Sequence, residues 1–226
     1  MFSNPYFGLV LSFAAYQVGL QIRKRWNIPL FNPLLIAIIL CIVTLRLFDI
    51  PYENYERGGS YLVFLIAPAT VGLVIPLIHN MDKLKKNWLP ILAGLAAGVA
   101  TALFSAFFLC RLFGIGRELT VSVLPQSVTT AIAVPVSAEY GGLVGITAVC
   151  VVLRGISGAV FGPSLLKACR VTDPVATGIA LGTASHAIGT SRSIEMGETE
   201  GAMSGLAVAI AGLLTVLLLP VVLMLL

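Results

Sequence analysis

Apolar runs of about 20 residues recur along the whole chain, and a bilayer core requires about that length for each crossing helix. Of the 226 residues, 58% are hydrophobic and only 11% are charged. Soluble domains carry about 25% charged residues, so this chain lacks the polar surface of a protein that folds in water. We therefore predict an all-α, polytopic membrane bundle in which residues 1–226 form a single transmembrane domain.

The apolar runs predict about seven or eight membrane segments. Long helices are expected at residues 5–20, 29–48, 88–113, 143–166 and 202–225, with a shorter one from residue 174. The acidic, glycine-containing residues 49–59 predict a loop. Basic residues cluster at 23–25 and 83–86, where the positive-inside rule places them in the cytoplasm and the N-terminus outside. The net charge of +4 therefore reflects topology and does not indicate a nucleic-acid partner.

The sequence lacks the residue patterns of a cofactor, metal or enzyme site. It has no phosphate-binding loop, no H-E-x-x-H and no G-x-S-x-G motif, and two histidines are too few for a usual zinc site. The four cysteines lie in or beside apolar runs without C-x-x-C spacing, which favours small buried residues over metal or disulfide chemistry. We expect no cofactor, no metal and no enzymatic activity.

Three expected segments are interrupted by prolines, glycines and hydroxyl side chains, at residues 65–78, 124–139 and 183–198. When 70–78 is aligned with 129–137, the threonines and the prolines coincide, and 190–197 is a more polar third copy. Long apolar helices follow the breaks, so we predict inverted repeats whose broken helices meet near mid-membrane, as in secondary transporters. The alternative is that proline and glycine are simply common in membrane helices. Residues 120–139 either cross the bilayer or enter it and return.

The most polar stretch runs from residue 182 to 205 and contains His186 and Arg192. An ionisable group inside a membrane span is by default a functional candidate. An imidazole titrates near neutrality, so His186 could carry a proton or donate to a carboxylate substrate; alternatively, it is a hydrogen-bonded structural residue. Arg192 could hold an anion through two parallel hydrogen bonds, or form an internal ion pair with Glu195.

Hydroxyl side chains accompany two of the interruptions. They could cap half-helices that present free N–H groups to an anion, or they could bond the carbonyls that a break leaves free. The residues concerned are Ser127, Thr129 and Thr130 in one break, and Ser185, Thr190 and Ser191 in the other. Thr190 and Ser191 are the expected N-caps of a half-helix that begins there.

Arg154 lies about halfway along the helix expected at residues 143–166. A guanidinium inside a membrane needs a carboxylate partner or a water-filled cavity. We therefore expect Arg154 to pair with Glu139 or Glu195, or to face such a cavity.

Several long motifs resemble those of the LrgB/CidB family. They lie at residues 67–76, 124–130, 155–163, 182–190 and 200–205. The resemblance implies a bacterial inner-membrane protein with a holin-like LrgA/CidA partner, in a family named for antiholin-like control of murein hydrolases and programmed cell lysis. Relatives are also linked to transport of small carboxylates such as pyruvate and glycolate. The chain departs from the commoner family pattern at Gln126, Ala131 and Arg154, and Arg154 could supply the charge of the lysine that many relatives have at position 126.

The combined interpretation is a transporter subunit for small monocarboxylates. The anion would bind at the half-helix N-termini and Arg192, with His186 as a candidate proton carrier. The alternatives are an antiholin-like regulator of a membrane pore, whose polar helices contact other helices, and a passive structural subunit. The substrate, the coupling ion and the formation of a homo-oligomer are left open by the sequence.

Overall fold

The structure, a computed structural model, describes residues 4–26, 31–65, 68, 78–79 and 81–225. In these ranges every regular element is a helix, as the sequence predicted. The helices are α1 (Phe7–Trp26), α2 (Pro33–Leu47), α3 (Tyr52–Phe64), α4 (Met81–Leu112), α5 (Arg117–Val123), a 3₁₀ turn (Leu124–Ser127), α6 (Thr130–Glu139), α7 (Val144–Ala168), α8 (Pro174–Met196) and α9 (Glu198–Leu223).

Three helices of the described part are long and apolar enough to cross a membrane: Lys85–Leu112 within α4, Val144–Ala168 and Glu198–Leu223. Helix α2 is apolar but has only 15 residues. These spans agree with the expected helices near 88–113, 143–166 and 202–225. These three helices do not by themselves establish the predicted total of about seven or eight membrane segments.

The chain forms two compact units, Met1–Gly72 and Leu73–Leu226. In the first, which we call the N-terminal unit, α1 packs closely against α2 and α3. A Cβ atom at Gly8 would collide with the carbonyl of Tyr55, and one at Gly19 would lie 2.6 Å from the carbonyl oxygen of Pro33. The loop expected at residues 49–59 is wrong from residue 52 onward, because helix α3 begins there. Gly58 lies inside that helix, where it allows close packing against α1.

In the second unit, which we call the C-terminal unit, residues 117–142 form a helical hairpin. The backbone N–H of Leu143 donates to Ser122 Oγ at 2.6 Å, so the chain returns beside α5 after α6. The hydroxyl of Thr147 in α7 donates to Ser137 Oγ in α6 at 2.7 Å. The chain therefore reverses within residues 120–139, which is the geometry that entry into the bilayer and return would require; whether these residues enter the bilayer stays a prediction. Pro125 lies at the turn, whereas Pro135 lies within α6 without breaking it.

Helix α8 contains a second reversal, at Ser185 and His186. Both residues have non-helical backbone angles, and His186 has a φ of 43°. A Cβ atom at Gly189 would lie 2.5 Å from the carbonyl oxygen of Leu181, a contact that an uninterrupted helix does not allow between residues eight positions apart. Residues 174–184 and 187–196 are thus two half-helices that fold back on each other.

Each hairpin is followed by a long apolar helix, α7 after the first and α9 after the second. This order matches the pattern on which the repeat was predicted, while the inverted orientation remains a prediction. Residues 65–78, the remaining predicted interruption, lie outside the described residues except for 65, 68 and 78.

Helix α9 packs tightly against both half-helices of α8. Cβ atoms at Gly178 and Gly182 would collide with the carbonyl oxygens of Glu200 and Ser204, and Gly201 closely faces Ile194. Small residues are the usual means by which membrane helices approach each other, because apolar side chains gain little by leaving lipid. Glycines therefore hold the second hairpin against α9.

We expect Gly182→Ala to lower the free energy of unfolding by about 1–3 kcal/mol, because the added methyl group collides with the α9 backbone. Gly145→Ala is the matched control, since no atom lies within 4 Å of a Cβ at that position of α7. Its expected effect is neutral or stabilising by about 0.5–1 kcal/mol. Thermal unfolding in detergent measures both. Equal stability of the two variants would contradict the close packing of α8 on α9.

Candidate functional site

The turns of the two hairpins meet beside one residue, Val151, about two turns from the start of α7. Val128, just after the 3₁₀ turn, and Ala133 in α6 pack against the Val151 side chain in a buried apolar cluster. From the other hairpin, His186 Nε2 lies 2.9 Å from the carbonyl oxygen of Val151. The interruptions predicted at 124–139 and 183–198 are thus brought together.

The His186 ring bonds the backbone carbonyl of Val151 and packs closely against Gly155. It is buried, and a Cβ atom at Gly155 would lie 2.7 Å from its Cε1 atom and 2.8 Å from its Nε2 atom. Because a carbonyl oxygen only accepts, Nε2 must donate to Val151, and Nδ1 is the nitrogen left to accept a hydrogen bond or a proton. The imidazole is therefore both a structural element of the turn and a group that could bind a proton.

Arg154 also bonds the reversal in α8, at Ala184, the residue just before it. Its Nε donates to the carbonyl oxygen of Ala184 at 3.0 Å. That carbonyl ends the first half-helix of α8, where the helix dipole is negative and a cation is favoured. The expected partners of Arg154 are a wrong prediction: Glu139 is exposed at the end of α6, and Glu195 lies 2.6 Å from Arg192. Within the described part of the chain, the Arg154 Nη atoms have no hydrogen-bond or ion-pair partner.

Each hairpin turn carries one buried hydroxyl group without a hydrogen-bond partner among the described residues. These are Ser127 Oγ in the first and Ser185 Oγ in the second. A third such group, Thr215 Oγ1, lies on α9, one turn beyond Gly212, and a Cβ atom at Gly212 would be 2.6 Å from Ile132 of α6. Sequence reasoning missed Thr215, although a threonine in an otherwise apolar stretch was the available signal.

The other hydroxyl residues predicted for the site do not occupy the hairpin turns in the expected way. Thr129 precedes α6 as its N-cap without a capping side-chain bond, and Thr130 is the exposed first residue of that helix. The predicted N-cap role of Thr190 and Ser191 is wrong, because the second half-helix begins at residue 187. Both lie inside it, and their hydroxyls donate to the carbonyls of His186 and Ala187. Thr190 also contacts Ser204 Oγ at 2.9 Å.

Arg192 lies on the surface of the second half-helix, where its Nη1 donates to Glu195 Oε2. The side chains of the two residues are 33% and 45% exposed. The internal ion pair, one of the two alternatives weighed for Arg192, is therefore present. An anion that bound the other donors of Arg192 would be repelled by the Glu195 carboxylate of this ion pair.

Two cavities border Arg154 in the C-terminal unit. The larger, of about 680 Å³, lies between α4 and the first half of α8 and includes Thr101, Ser105 and Thr183 among its lining residues. The smaller, of about 360 Å³, lies between α7 and α8 and is lined by Ser157 and Ser185. Arg154 thus faces two cavities; that they are filled with water, as the stated alternative for Arg154 requires, stays a prediction.

Comparison with known proteins assigns the chain to a family over nearly its full length. The model of the LrgB-like family matches residues 12–225. The chain belongs to the LrgB-like family. With three helices of membrane-spanning length and composition, this LrgB-like chain is a membrane protein.

Curated relatives of this LrgB-like chain cover almost all of it. It is 40% identical over 218 residues to the Antiholin-like protein LrgB of Bacillus cereus strain B4264, which corresponds to 96% of this chain and 95% of that protein. The Antiholin-like protein LrgB of Bacillus anthracis strain CDC 684 / NRRL 3495 gives the same identity and coverage. No solved structure matches the chain significantly.

We expect the neutral ring of His186 to carry its proton on Nε2. The chain has two histidines, so a His79→Gln variant leaves a single imidazole signal. Nitrogen-15 NMR of histidine-labelled protein in lipid should then show a protonated Nε2 and an unprotonated Nδ1, because Nε2 donates to the Val151 carbonyl. A signal from the Nδ1–H tautomer would contradict the described turn.

Proposed function

We propose that this LrgB-like protein is a membrane transporter subunit for small monocarboxylates such as pyruvate or glycolate. The observation that carries the proposal is the meeting of two helical hairpins at Val151. The half-helix after each turn begins there, and its first N–H groups lack intrahelical partners. Such helix starts favour an anion through both hydrogen bonding and the helix dipole. Interrupted helices that expose their starts inside the membrane are the usual architecture of a secondary-transporter site.

The unpaired hydroxyls support the same proposal. Ser127 and Ser185 are 2% and 0% exposed, and a buried polar group without a partner costs about 1–3 kcal/mol. A carboxylate is acceptor-only and could take hydrogen bonds from these hydroxyls and from the free N–H groups. Ser185 lines the cavity of about 360 Å³, and Gly158 lies so close to Ser185 Oγ that any side chain at position 158 would collide with it.

Arg154 supplies the positive charge that the proposed site needs. It lines the cavity of about 680 Å³, and one of its five N–H donors is used by Ala184. The other donors could hold a carboxylate with two parallel hydrogen bonds, as guanidinium groups commonly do. In this proposal Arg154 takes the anion-holding role that the sequence had also suggested for Arg192.

The topology and partners belong to the same proposal. We propose a bacterial inner-membrane location with the N-terminus outside, about seven or eight segments in all, and a holin-like LrgA/CidA partner. The three helices of spanning length, the two hairpins and the basic residues 23–25 at the end of α1 support this arrangement. His186 is the proposed proton carrier, because its Nδ1 remains available next to the site.

The alternative function is antiholin-like regulation of murein hydrolase export and cell lysis. It is supported by the name of the relatives, Antiholin-like protein LrgB. Under this alternative the hairpins and their polar side chains contact other helices, and no carboxylate needs to enter the cavity beside Arg154.

Flux of labelled pyruvate and glycolate into liposomes that contain the purified protein, alone and with its holin-like partner, tests the proposal. We expect Arg154→Gln to lower the uptake rate about tenfold or more, because it removes a charge-assisted hydrogen bond to the anion. Arg111→Gln, at the exposed end of α4, is the matched control and should retain full uptake.

Absence of carboxylate uptake under all these conditions, together with altered lysis when the residues of the site are changed, would replace the transporter proposal by the antiholin-like one. Uptake that is unaffected by Arg154→Gln, Ser127→Ala and His186→Ala would retain transport but remove this site.

A further inference from the structure

The N-terminal unit contains two adjoining cavities that the proposed transport site does not use. One, of about 460 Å³, is a groove between α1, α2 and α3. The other, of about 580 Å³, lies at the C-terminal end of α2. Ile42, Leu45 and Tyr52 line both, so the two cavities adjoin along α2.

The groove offers an apolar surface to an occupant. Its lining includes Phe13, Ala37 and Ile38, and two of its polar groups, Ser12 and Tyr55, bond each other. Ser12 Oγ and Tyr55 OH lie 2.9 Å apart in a hydrogen bond, and the Ser12 hydroxyl also bonds the carbonyl of Gly8 at 2.7 Å. In a membrane, an elongated apolar groove of this kind suits a hydrocarbon chain.

The second cavity carries one cation and one anion. Arg46 and Asp49 both line it with exposed side chains. Neither side chain has a salt-bridge partner in the described part of the chain, and they do not form one with each other. A ligand with a single charge would meet a like charge in this cavity, whereas a zwitterion could satisfy both groups.

We propose that the two cavities form one binding site for a phospholipid with a primary-ammonium headgroup, of the phosphatidylethanolamine class. One acyl chain lies in the apolar groove, the phosphate binds Arg46, and the ammonium group binds Asp49. The site lies where α2 ends, and arginine and tyrosine side chains are commonly placed at the membrane interface. A quaternary ammonium has no N–H donor for Asp49, and a phosphatidylglycerol headgroup has no cation.

Competition among phosphatidylethanolamine, phosphatidylcholine and phosphatidylglycerol with identical acyl chains, measured by native mass spectrometry of the full-length protein, tests the proposal. We expect preferential retention of phosphatidylethanolamine. Arg46→Gln should weaken retention of all three lipids about tenfold, since the charge-assisted bond to the phosphate is lost. Asp49→Asn should remove the preference over phosphatidylcholine. Asparagine tolerates the positive φ of 52° at this position, so the turn is preserved.

Two further sets of variants separate this site from general lipid adhesion. Ile42→Trp fills the junction of the two cavities and should reduce retention of the preferred lipid, although both charges remain. Arg57→Gln and Glu53→Gln change exposed charges of α3 and should leave retention unchanged. Equal retention of the three lipids by the unaltered protein, or the same loss from Arg57→Gln as from Arg46→Gln, would overturn the proposal. Carboxylate flux plays no part in this test, so its outcome is separate from that of the transporter proposal.

Discussion

The structure depends on satisfying backbone groups where helices are interrupted inside an apolar chain. Lipid offers no hydrogen bonds, so each freed N–H or carbonyl must find a partner within the protein. At the reversal in α8, Arg154 binds the carbonyl of Ala184, and His186 binds the carbonyl of Val151 in return. His186 of the turn and Arg154 of α7 are thus the two ionisable residues that connect the second hairpin turn to α7. The same residues are the functional candidates, because they leave donors and one imidazole nitrogen available.

Close backbone approach is the second requirement, and glycines meet it. Gly155 admits the ring of His186, Gly158 admits Ser185, and Gly182 brings the first half-helix of α8 against α9. These contacts place His186 and the Ser185 hydroxyl beside the start of the second half-helix of α8. In the proposed transport site, these fixed positions would preorganise the polar groups for an anion in a low-dielectric environment, where each hydrogen bond has a large effect.

The sequence predicted the features that depend on composition and periodicity. The all-helical class, the long helices α4, α7 and α9, and the breaks near Pro125 and within residues 183–198 are confirmed. It misplaced features that depend on tertiary contacts. The glycine at position 58 suggested a loop, but it serves packing on α1, and Thr190 and Ser191 looked like N-caps although the reversal lies at His186. The Arg154 partner could not be foreseen, because a backbone carbonyl has no signature in the sequence.

Accessibility of the cavity beside Arg154 tests the central claim most directly. In a background without the native cysteines, Thr101→Cys places a thiol on the cavity wall. We predict that a membrane-impermeant thiol reagent modifies it, and that pyruvate slows the modification when Arg154 is present but not after Arg154→Gln. A thiol that stays unmodified, or a modification rate that carboxylates do not change in either background, would contradict an anion site at the meeting point of the two hairpins.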